Sequence, residues 1–252
     1  MKLEVKNLSK RFGAKQVLDG VSFTVESGRA FGLLGRNGAG KTTTIRLLLG
    51  VFPQDDGEIL LDGKPLDFEK IKVGYLPEER GLYPKKKVKE QLVYFARLKG
   101  MKTKDAEKSV DFWLDRLEMS QYADKKADTL SKGNQQKIQL ITALAHDPDV
   151  VVLDEPFSGL DPVNALLLKS VVRDEIAKDK IVLFSSHQMS YVEEFCDDIA
   201  ILSGGKVAIG GDWNEIRHSY PSDKLVITSS QADKIAADFA EKAKRVASDK
   251  VI

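Results

Sequence analysis

Residues 32–50 read GLLGRNGAGKTTTIRLLLG, in which a short apolar run leads through a glycine-rich segment into a second apolar run. Gly35, Gly40, Lys41 and Thr42 match the pattern G-x-x-x-x-G-K-[ST]. Glycines allow the backbone to curl so that successive N–H groups face phosphate oxygens, and the start of the following helix adds partial positive charge. Because the pattern lies between a strand-like run and a helix-like run, it predicts a nucleoside-triphosphate site.

The residues of this phosphate loop have separate expected roles. Lys41 is expected to neutralise the β- and γ-phosphates, and the hydroxyl of Thr42 is expected to ligate Mg²⁺. The other loop residues expected to contact the nucleotide are Gly35, Arg36, Asn37, Gly38, Ala39, Gly40 and Thr43.

A second segment, VVVLDEP at residues 150–156, places two adjacent carboxylates after a buried run. Asp154 falls at the carboxyl end of the predicted strand, where open α/β sheets bind ligands, and it suits the shell of the magnesium ion. Glu155 cannot share that role without crowding two negative charges. It is better placed to orient or deprotonate an attacking water molecule.

The wider hydrophobic pattern predicts the fold around these motifs. Continuous apolar runs at 30–35, 150–156 and 181–187 are typical of strands buried on both faces of a parallel sheet. Residues 1–28 alternate as half-buried strands do, Asp62-Gly63 predicts a hairpin, and about 86–146 has helical periodicity. We therefore expect an α/β fold: a P-loop NTPase core with a mostly parallel sheet, an N-terminal antiparallel β subdomain and an inserted helical subdomain.

Composition limits the classes of partner. The chain has 252 residues, with 39 basic and 38 acidic side chains, so overall charge gives no attraction to nucleic acid, and no nucleic-acid partner is expected. A single cysteine excludes an internal disulfide and fits a reducing compartment. Without a signal-like N-terminus or a membrane-length apolar run, the expected location is cytoplasmic.

With these motifs in place, the segment LSKGNQQK at residues 130–137 makes the chain resemble the ATP-binding subunit of an ABC transporter. The resemblance covers about residues 1–217 and implies an ATPase domain at 1–220. It implies ATP and Mg²⁺ as cofactors and a second ATP-binding subunit, identical or related, bound head to tail. It also implies an integral membrane permease that holds the chain at the inner face of the membrane.

The resemblance assigns further residues by motif. Ser131, Gly133 and Asn134 of the signature segment are expected to cap the ATP bound to the second subunit. Phe12 is expected to stack on adenine, with a core phenylalanine as the alternative. Glu78 is assigned to the metal-sensing loop and Asp161 to the loop between the two sites. His187 is assigned as the switch residue that holds the attacking water.

Three positions depart from the family pattern. Glu78 replaces the usual glutamine, Lys132 a glycine, and Asn134 a glutamine. The segment LPEE at 76–79 resembles a branch of ABC-2 exporters similar to sodium and drug exporters. Residues 221–252, strand-like at 224–229 and helix-like at 231–247, resemble the start of an accessory domain of that branch.

The expected function is therefore ATP binding and hydrolysis that energise a transporter, favouring export, through ATP-driven dimerisation. The alternative is a soluble ABC ATPase that acts on a macromolecular complex. Such proteins usually carry two cassettes or long coiled coils, which this chain does not resemble. A nucleotide-binding regulator without hydrolysis is disfavoured because Glu155 and His187 are both present.

Overall fold

The computed structural model describes the following residues: 1–79, 81–219, 227–228, 245–247 and 250–251. Contacts between Cα atoms divide the chain into two compact units, Met1–Trp213 and Asn214–Ile252. Among the described residues, no helix is both long enough and apolar enough to cross a membrane.

The centre of the first unit is a six-stranded sheet in the order β10-β9-β3-β8-β7-β6. All neighbouring strands run parallel except β10, which is antiparallel to β9. The apolar side chains of the three central strands are buried, as expected for a sheet covered on both faces. The strands are β3 (Ala30–Leu34), β6 (Val73–Leu76), β7 (Val150–Asp154), β8 (Ile181–Ser186), β9 (Asp198–Ser203) and β10 (Lys206–Asp212).

A second, antiparallel sheet has the order β2-β1-β4-β5. Its strands are β1 (Lys2–Phe12), β2 (Lys15–Glu26), β4 (Asp56–Leu61) and β5 (Lys64–Pro65). The predicted hairpin joins β4 to β5, and Asp62 and Gly63 both have positive φ, at 49° and 75°. Two positive φ values are what a two-residue type I′ turn requires, so the Asp-Gly prediction is confirmed.

The inserted helical segment is also confirmed. Its amphipathic helices bury Val88, Leu92 and Ala96 on one helix and Val110 and Leu114 on the next. The helices of this segment are α2 (Val88–Leu98), α3 (Thr103–Arg116) and α4 (Lys132–Leu144), with 3₁₀ turns at Ser120–Tyr122 and Ala127–Thr129. The remaining helices are α1 (Lys41–Leu48), α5 (Pro162–Ala177), α6 (Met189–Phe195) and α7 (Trp213–Ser219).

The described part of the second unit beyond α7 is a small antiparallel sheet of β11 (Ile227–Thr228), β12 (Arg245–Ala247) and β13 (Lys250–Val251). β11 confirms the strand predicted within 224–229. Most of the helix predicted for 231–247 lies outside the described residues, but the prediction is wrong at its last three, which form β12. There, backbone pairing of Arg245 with Val251 outweighs the helical periodicity.

Candidate nucleotide site

Three parallel strands end at one edge of the central sheet. Leu34 of β3 pairs in register with Ser186 of β8, and Asp154 of β7 pairs with Ser185 of β8. The residues that follow these strand ends therefore meet at the same edge. They are the phosphate loop at 35–40, Glu155 and His187, which the sequence predicted on separate motifs.

Two glycines of the loop have positive φ values that residues with a Cβ rarely adopt. Gly35 and Gly40 have φ of 152° and 110°. A Cβ atom on Gly35 would lie 2.6 Å from the carbonyl oxygen of Leu202, and one on Gly40 would lie 2.5 Å from Cδ2 of Leu18. Gly40 is the N-cap of α1 and provides no side-chain cap. The N–H groups of the first turn of α1 are therefore left for a ligand.

The loop borders a cavity of about 300 Å³. Of the predicted site residues, these line it: Arg36, Asn37, Gly38, Gly40, Lys41, Thr42, Thr43, Glu78 and Glu155. Among the described residues, Gly35 and Ala39 belong to the loop but do not line the cavity. Lys15 and Val17 of β2 also line it, and the sequence did not identify them.

Lys41 lies at the floor of this site. Its side chain is 7% exposed, and Nζ donates a hydrogen bond to the carbonyl oxygen of Gly35 at 2.7 Å. The same Nζ is 3.6 Å from Oε1 of Glu155. A lysine Nζ carries three N–H donors, so donors remain for phosphate oxygens beside the bond to Gly35.

A serine of the neighbouring strand bonds to both the side chain of Asp154 and the backbone of Glu155. The N–H of Glu155 donates to Oγ of Ser185 at 3.1 Å, and the hydroxyl of Ser185 donates to Oδ1 of Asp154. Glu155 has a φ of 51°, a left-handed conformation that costs a non-glycine residue about 1–3 kcal/mol and is concentrated at functional sites. The strand therefore ends at Asp154, and the two carboxylates serve different positions.

His187 completes the group of polar residues at the sheet edge. Its Nδ1 lies 2.9 Å from Oε1 of Glu155, and its side chain is 42% exposed. With a proton on Nδ1, the imidazole donates to the carboxylate and leaves Nε2 for another partner. Glu155 is thus contacted by a histidine on one side and approached by Lys41 on the other.

The residues present fit a magnesium ion bound together with a nucleotide. Oδ2 of Asp154 is buried and accepts no hydrogen bond from a described residue, which leaves it free for a metal or its water. Thr42 and Glu78 line the adjacent cavity. Mg²⁺ typically takes one or two protein carboxylates with phosphate oxygens and water, and hydroxyl, carboxylate and phosphate oxygens are the ligands available here.

Phe12 lies at the end of β1 and is 49% exposed, so the alternative that it is a core phenylalanine is wrong. Its ring contacts Phe52 edge to face, with centroids 5.5 Å apart. Nζ of Lys10 lies 5.8 Å from the centroid of Phe12. Phe12 pairs in register with Lys15, which lines the cavity, but Phe12 itself is not among the described residues that line it.

The signature segment forms the start of α4. Ser131 is the N-cap, and its hydroxyl oxygen accepts from the N–H of Asn134 at 3.2 Å. A Cβ on Gly133 would lie 3.3 Å from Nδ2 of Asn164 on α5. Asp161 caps α5 and accepts from both the N–H and the side chain of Asn164, which lowers the pKa of Asp161. The two helix starts are therefore neighbours.

Among the described residues, none of the signature segment lines the cavity of the phosphate loop. The structure therefore brings together Lys41, Thr42, Glu78, Glu155 and the loop, with His187 and Asp154 beside them. It groups Ser131, Gly133 and Asp161 separately. Ser185 and Gln136 were not predicted from the sequence. The only signal for Ser185 was its place in the run IVLFSSH. The side-chain amide of Gln136 donates to the carbonyl oxygen of Pro156 at 3.1 Å.

Comparisons with known proteins agree with this geometry. The ABC transporter family model matches residues 18–158. The chain is 48% identical over 228 residues to the ABC transporter ATP-binding protein YhaQ of Bacillus subtilis (strain 168), covering 90% of this chain and 76% of the relative. It is 40% identical over 213 residues to the Nod factor export ATP-binding protein I of Burkholderia lata, covering 82% and 70% of the two chains.

A solved structure of the ATP-binding subunit of an ABC transporter superposes with a TM-score of 0.79 at 31% identity, and the match covers 87% of this chain and 93% of that one. The family model spans more than half of the chain, and the match to YhaQ spans most of both proteins. This chain therefore belongs to the ABC transporter family, as an ATP-binding subunit.

Proposed function

We propose that the chain binds MgATP in the cavity of the phosphate loop, hydrolyses it with Glu155 as the base, and so drives a membrane permease. One observation carries the proposal: Lys41 Nζ and His187 Nδ1 lie 3.6 Å and 2.9 Å from the same oxygen of Glu155, beside the cavity. Phosphoryl transfer to water needs positioned positive charge and a group that orients the water.

The proposed chemistry distributes these tasks among side chains. Lys41 and the N–H groups at the start of α1 stabilise negative charge on the phosphate oxygens. Glu155 accepts the proton of the attacking water, and His187 holds that carboxylate in place. Bound Mg²⁺ supplies further charge neutralisation. Thr42, Asp154 and Glu78 are the residues proposed to hold it.

We infer that the signature segment serves the ATP of a second subunit. The hydroxyl of Ser131 accepts a hydrogen bond from Asn134, and its proton donates to no described residue. Ser131 and Lys132 are exposed at the start of α4, a 13-residue helix whose first N–H groups favour an anion. A second chain, identical or related, would supply that anion as the γ-phosphate of its ATP, and Asp161 would lie in the same interface.

The transported cargo is proposed to move outward. The similarity to a Nod factor export ATP-binding protein supports an exporter, and so does the LPEE segment. The chain is then expected to act at the inner face of the membrane through an integral membrane permease.

If a gene next to that of this chain encodes a multi-span membrane protein, the test is reconstitution of the two proteins together. The purified pair in lipid vesicles should hydrolyse ATP faster than the chain alone, and EDTA should abolish the activity. ATPase activity that ignores the membrane protein but rises with a soluble macromolecular complex would contradict transport and favour the alternative function. Activity that persists in EDTA would contradict the proposed role of magnesium.

A further inference from the structure

A buried glutamine connects the signature helix to the loop that carries Glu78. Gln139 lies on α4, two residues beyond the signature segment, and is 1% exposed. Its Nε2 donates to the carbonyl oxygen of Glu79 at 3.1 Å. Glu79 directly follows Glu78, so this bond fixes the peptide unit beside a carboxylate of the nucleotide cavity.

The cost of this arrangement argues against a purely structural role. Oε1 of Gln139 is buried and accepts no hydrogen bond from a described residue. An unsatisfied buried acceptor is unfavourable. Methionine has nearly the same length and would fill this space without the unpaired oxygen. The presence of an amide donor, Nε2 of Gln139, at this buried position therefore needs another explanation.

Electrostatics supply that explanation. Glu78 and Glu155 line the same cavity, and Asp154 lies next to Glu155 in the chain. Like charges around one cavity repel each other, so a carboxylate on a surface loop tends to turn toward water unless the loop is held. The bond from Gln139 holds the backbone of that loop against a rigid helix and so opposes the repulsion.

We propose that Gln139 is a positioning residue that keeps Glu78 in reach of the metal of the nucleotide site. The proposal rests on the proposed function, because it assumes that a divalent cation binds there with ATP. It also means that α4 joins the signature segment, at its start, to a metal-facing loop of the chain's own site.

The test measures metal binding without turnover. In the Glu155→Gln background, the protein is kept in molar excess over ATP so that little free ATP can chelate the metal, and free Mn²⁺ is read by electron paramagnetic resonance during a Mn²⁺ titration. Gln139→Met should raise the Mn²⁺ dissociation constant about 10-fold, the lower end of what loss of a supporting hydrogen bond costs a metal site. ATP affinity in EDTA and the thermal unfolding midpoint should stay the same, or the midpoint should rise because the unpaired oxygen is gone.

Two further variants separate positioning from general damage. Ser109→Ala removes another hydrogen bond to α4, from Oγ to the carbonyl of Ala145 at 2.6 Å, and should leave Mn²⁺ affinity unchanged. Glu78→Ala should weaken Mn²⁺ binding, and adding Gln139→Met to it should have no further effect, because the two residues act as one unit.

Three results would overturn the proposal: an Mn²⁺ affinity of Gln139→Met within twofold of its parent, additive effects of the two substitutions, or equal losses of Mn²⁺ affinity in Gln139→Met and Ser109→Ala. Failure of the proposed function looks different. In that case the parent itself binds no Mn²⁺ with ATP.

Discussion

Two helix starts in this molecule present N–H groups, and they differ in what surrounds them. Helix α1 follows Gly40 and has no side-chain cap. Its first residue, Lys41, lies close to Glu155. Helix α4 begins at Ser131, is capped by its own serine, and is exposed there. The first combines anion binding with groups that support hydrolysis, whereas the second offers donors without an acid or a base. Under the proposed function, the first helix start lies in the site that holds all the hydrolytic groups, called here the complete site, and the second is a half-site that contributes to the ATP of another chain.

The largest effect expected at the complete site comes from its base. Glu155→Gln keeps the size of the side chain but cannot accept the proton, so hydrolysis should fall about 10²–10⁴-fold. MgATP binding should remain, and the variant should accumulate as an ATP-bound dimer in light scattering. With ADP it should stay monomeric. A variant that is monomeric with ATP and still hydrolyses it would contradict both the role of Glu155 and the proposed dimer.

Lys41→Ala tests the charge at the floor of the same site. Hydrolysis should fall about 10²–10³-fold, because charge stabilisation of the transferring phosphate is lost. The matched control is Lys64→Ala, which removes an exposed lysine from β5 in the other sheet and should leave the rate unchanged. Wild-type turnover by purified Lys41→Ala would show that the phosphate site is wrongly assigned.

Gly133→Asp tests the half-site. A Cβ atom on residue 133 would lie 3.3 Å from Nδ2 of Asn164, so a small side chain fits after a minor adjustment of its neighbour. Gly133→Ala controls for that adjustment. The carboxylate would face the γ-phosphate of the partner's ATP in a water-poor interface, so hydrolysis should fall about 10²-fold. MgATP binding to the monomer should be nearly unchanged. Normal hydrolysis by this variant, at a specific activity independent of protein concentration, would show that the signature segment serves only to start α4.

Mixing Gly133→Asp with Lys41→Ala sharpens the comparison. Each variant alone is expected to hydrolyse ATP at about 1% of the wild-type rate or less, by the falls given above, but a mixed dimer pairs the intact phosphate loop of one chain with the intact signature segment of the other. Hydrolysis above the sum of the two separate variants would show that one site draws on two chains. The wild type mixed with Lys41→Ala serves as the reference for a dimer with one competent loop.

The sequence predicted the parts of each region that depend on local spacing. The loop at 35–42 and the Asp62-Gly63 hairpin follow from neighbouring residues, since such loops and tight turns are built within a few positions. The buried runs also predicted the central strands, because a parallel sheet needs apolar side chains on both faces.

Contacts between distant residues could not be predicted in the same way. Ser185 contacts the side chain of Asp154 and the backbone N–H of Glu155 because β7 and β8 pair in register. No spacing in the sequence encodes that register. Lys15 lines the cavity although it belongs to the second sheet. Gln139 donates to the carbonyl oxygen of Glu79, which lies 60 positions earlier in the chain. Such residues are identified by geometry, since polar side chains on helices and strands are usually solvated.

Phe12→Ala tests the edge of the complete site, with a smaller expected effect. Stacking of a base on an aromatic ring contributes about 1–3 kcal/mol, so the dissociation constant for ATP should rise about 10-fold while kcat changes little. Phe68→Ala is the control, because Phe68 is similarly exposed, at 46%, and lines a different cavity together with Lys64 and Pro65 of β5. An unchanged ATP affinity in Phe12→Ala would assign adenine binding to another group.

The smallest effect is expected from the end of the chain, which supplies neither helix start. Truncation after residue 220 keeps α7 (Trp213–Ser219) whole and removes most of the second unit, Asn214–Ile252. Both the phosphate loop and the signature segment lie in the retained part, so the dissociation constant for MgATP should stay within about twofold, well below the tenfold change that 1.4 kcal/mol produces. Fluorescence titration with an ATP analogue measures it, and circular dichroism verifies that the shortened chain is folded. Loss of nucleotide binding in a folded, truncated protein would place the boundary of the ATPase domain beyond residue 220.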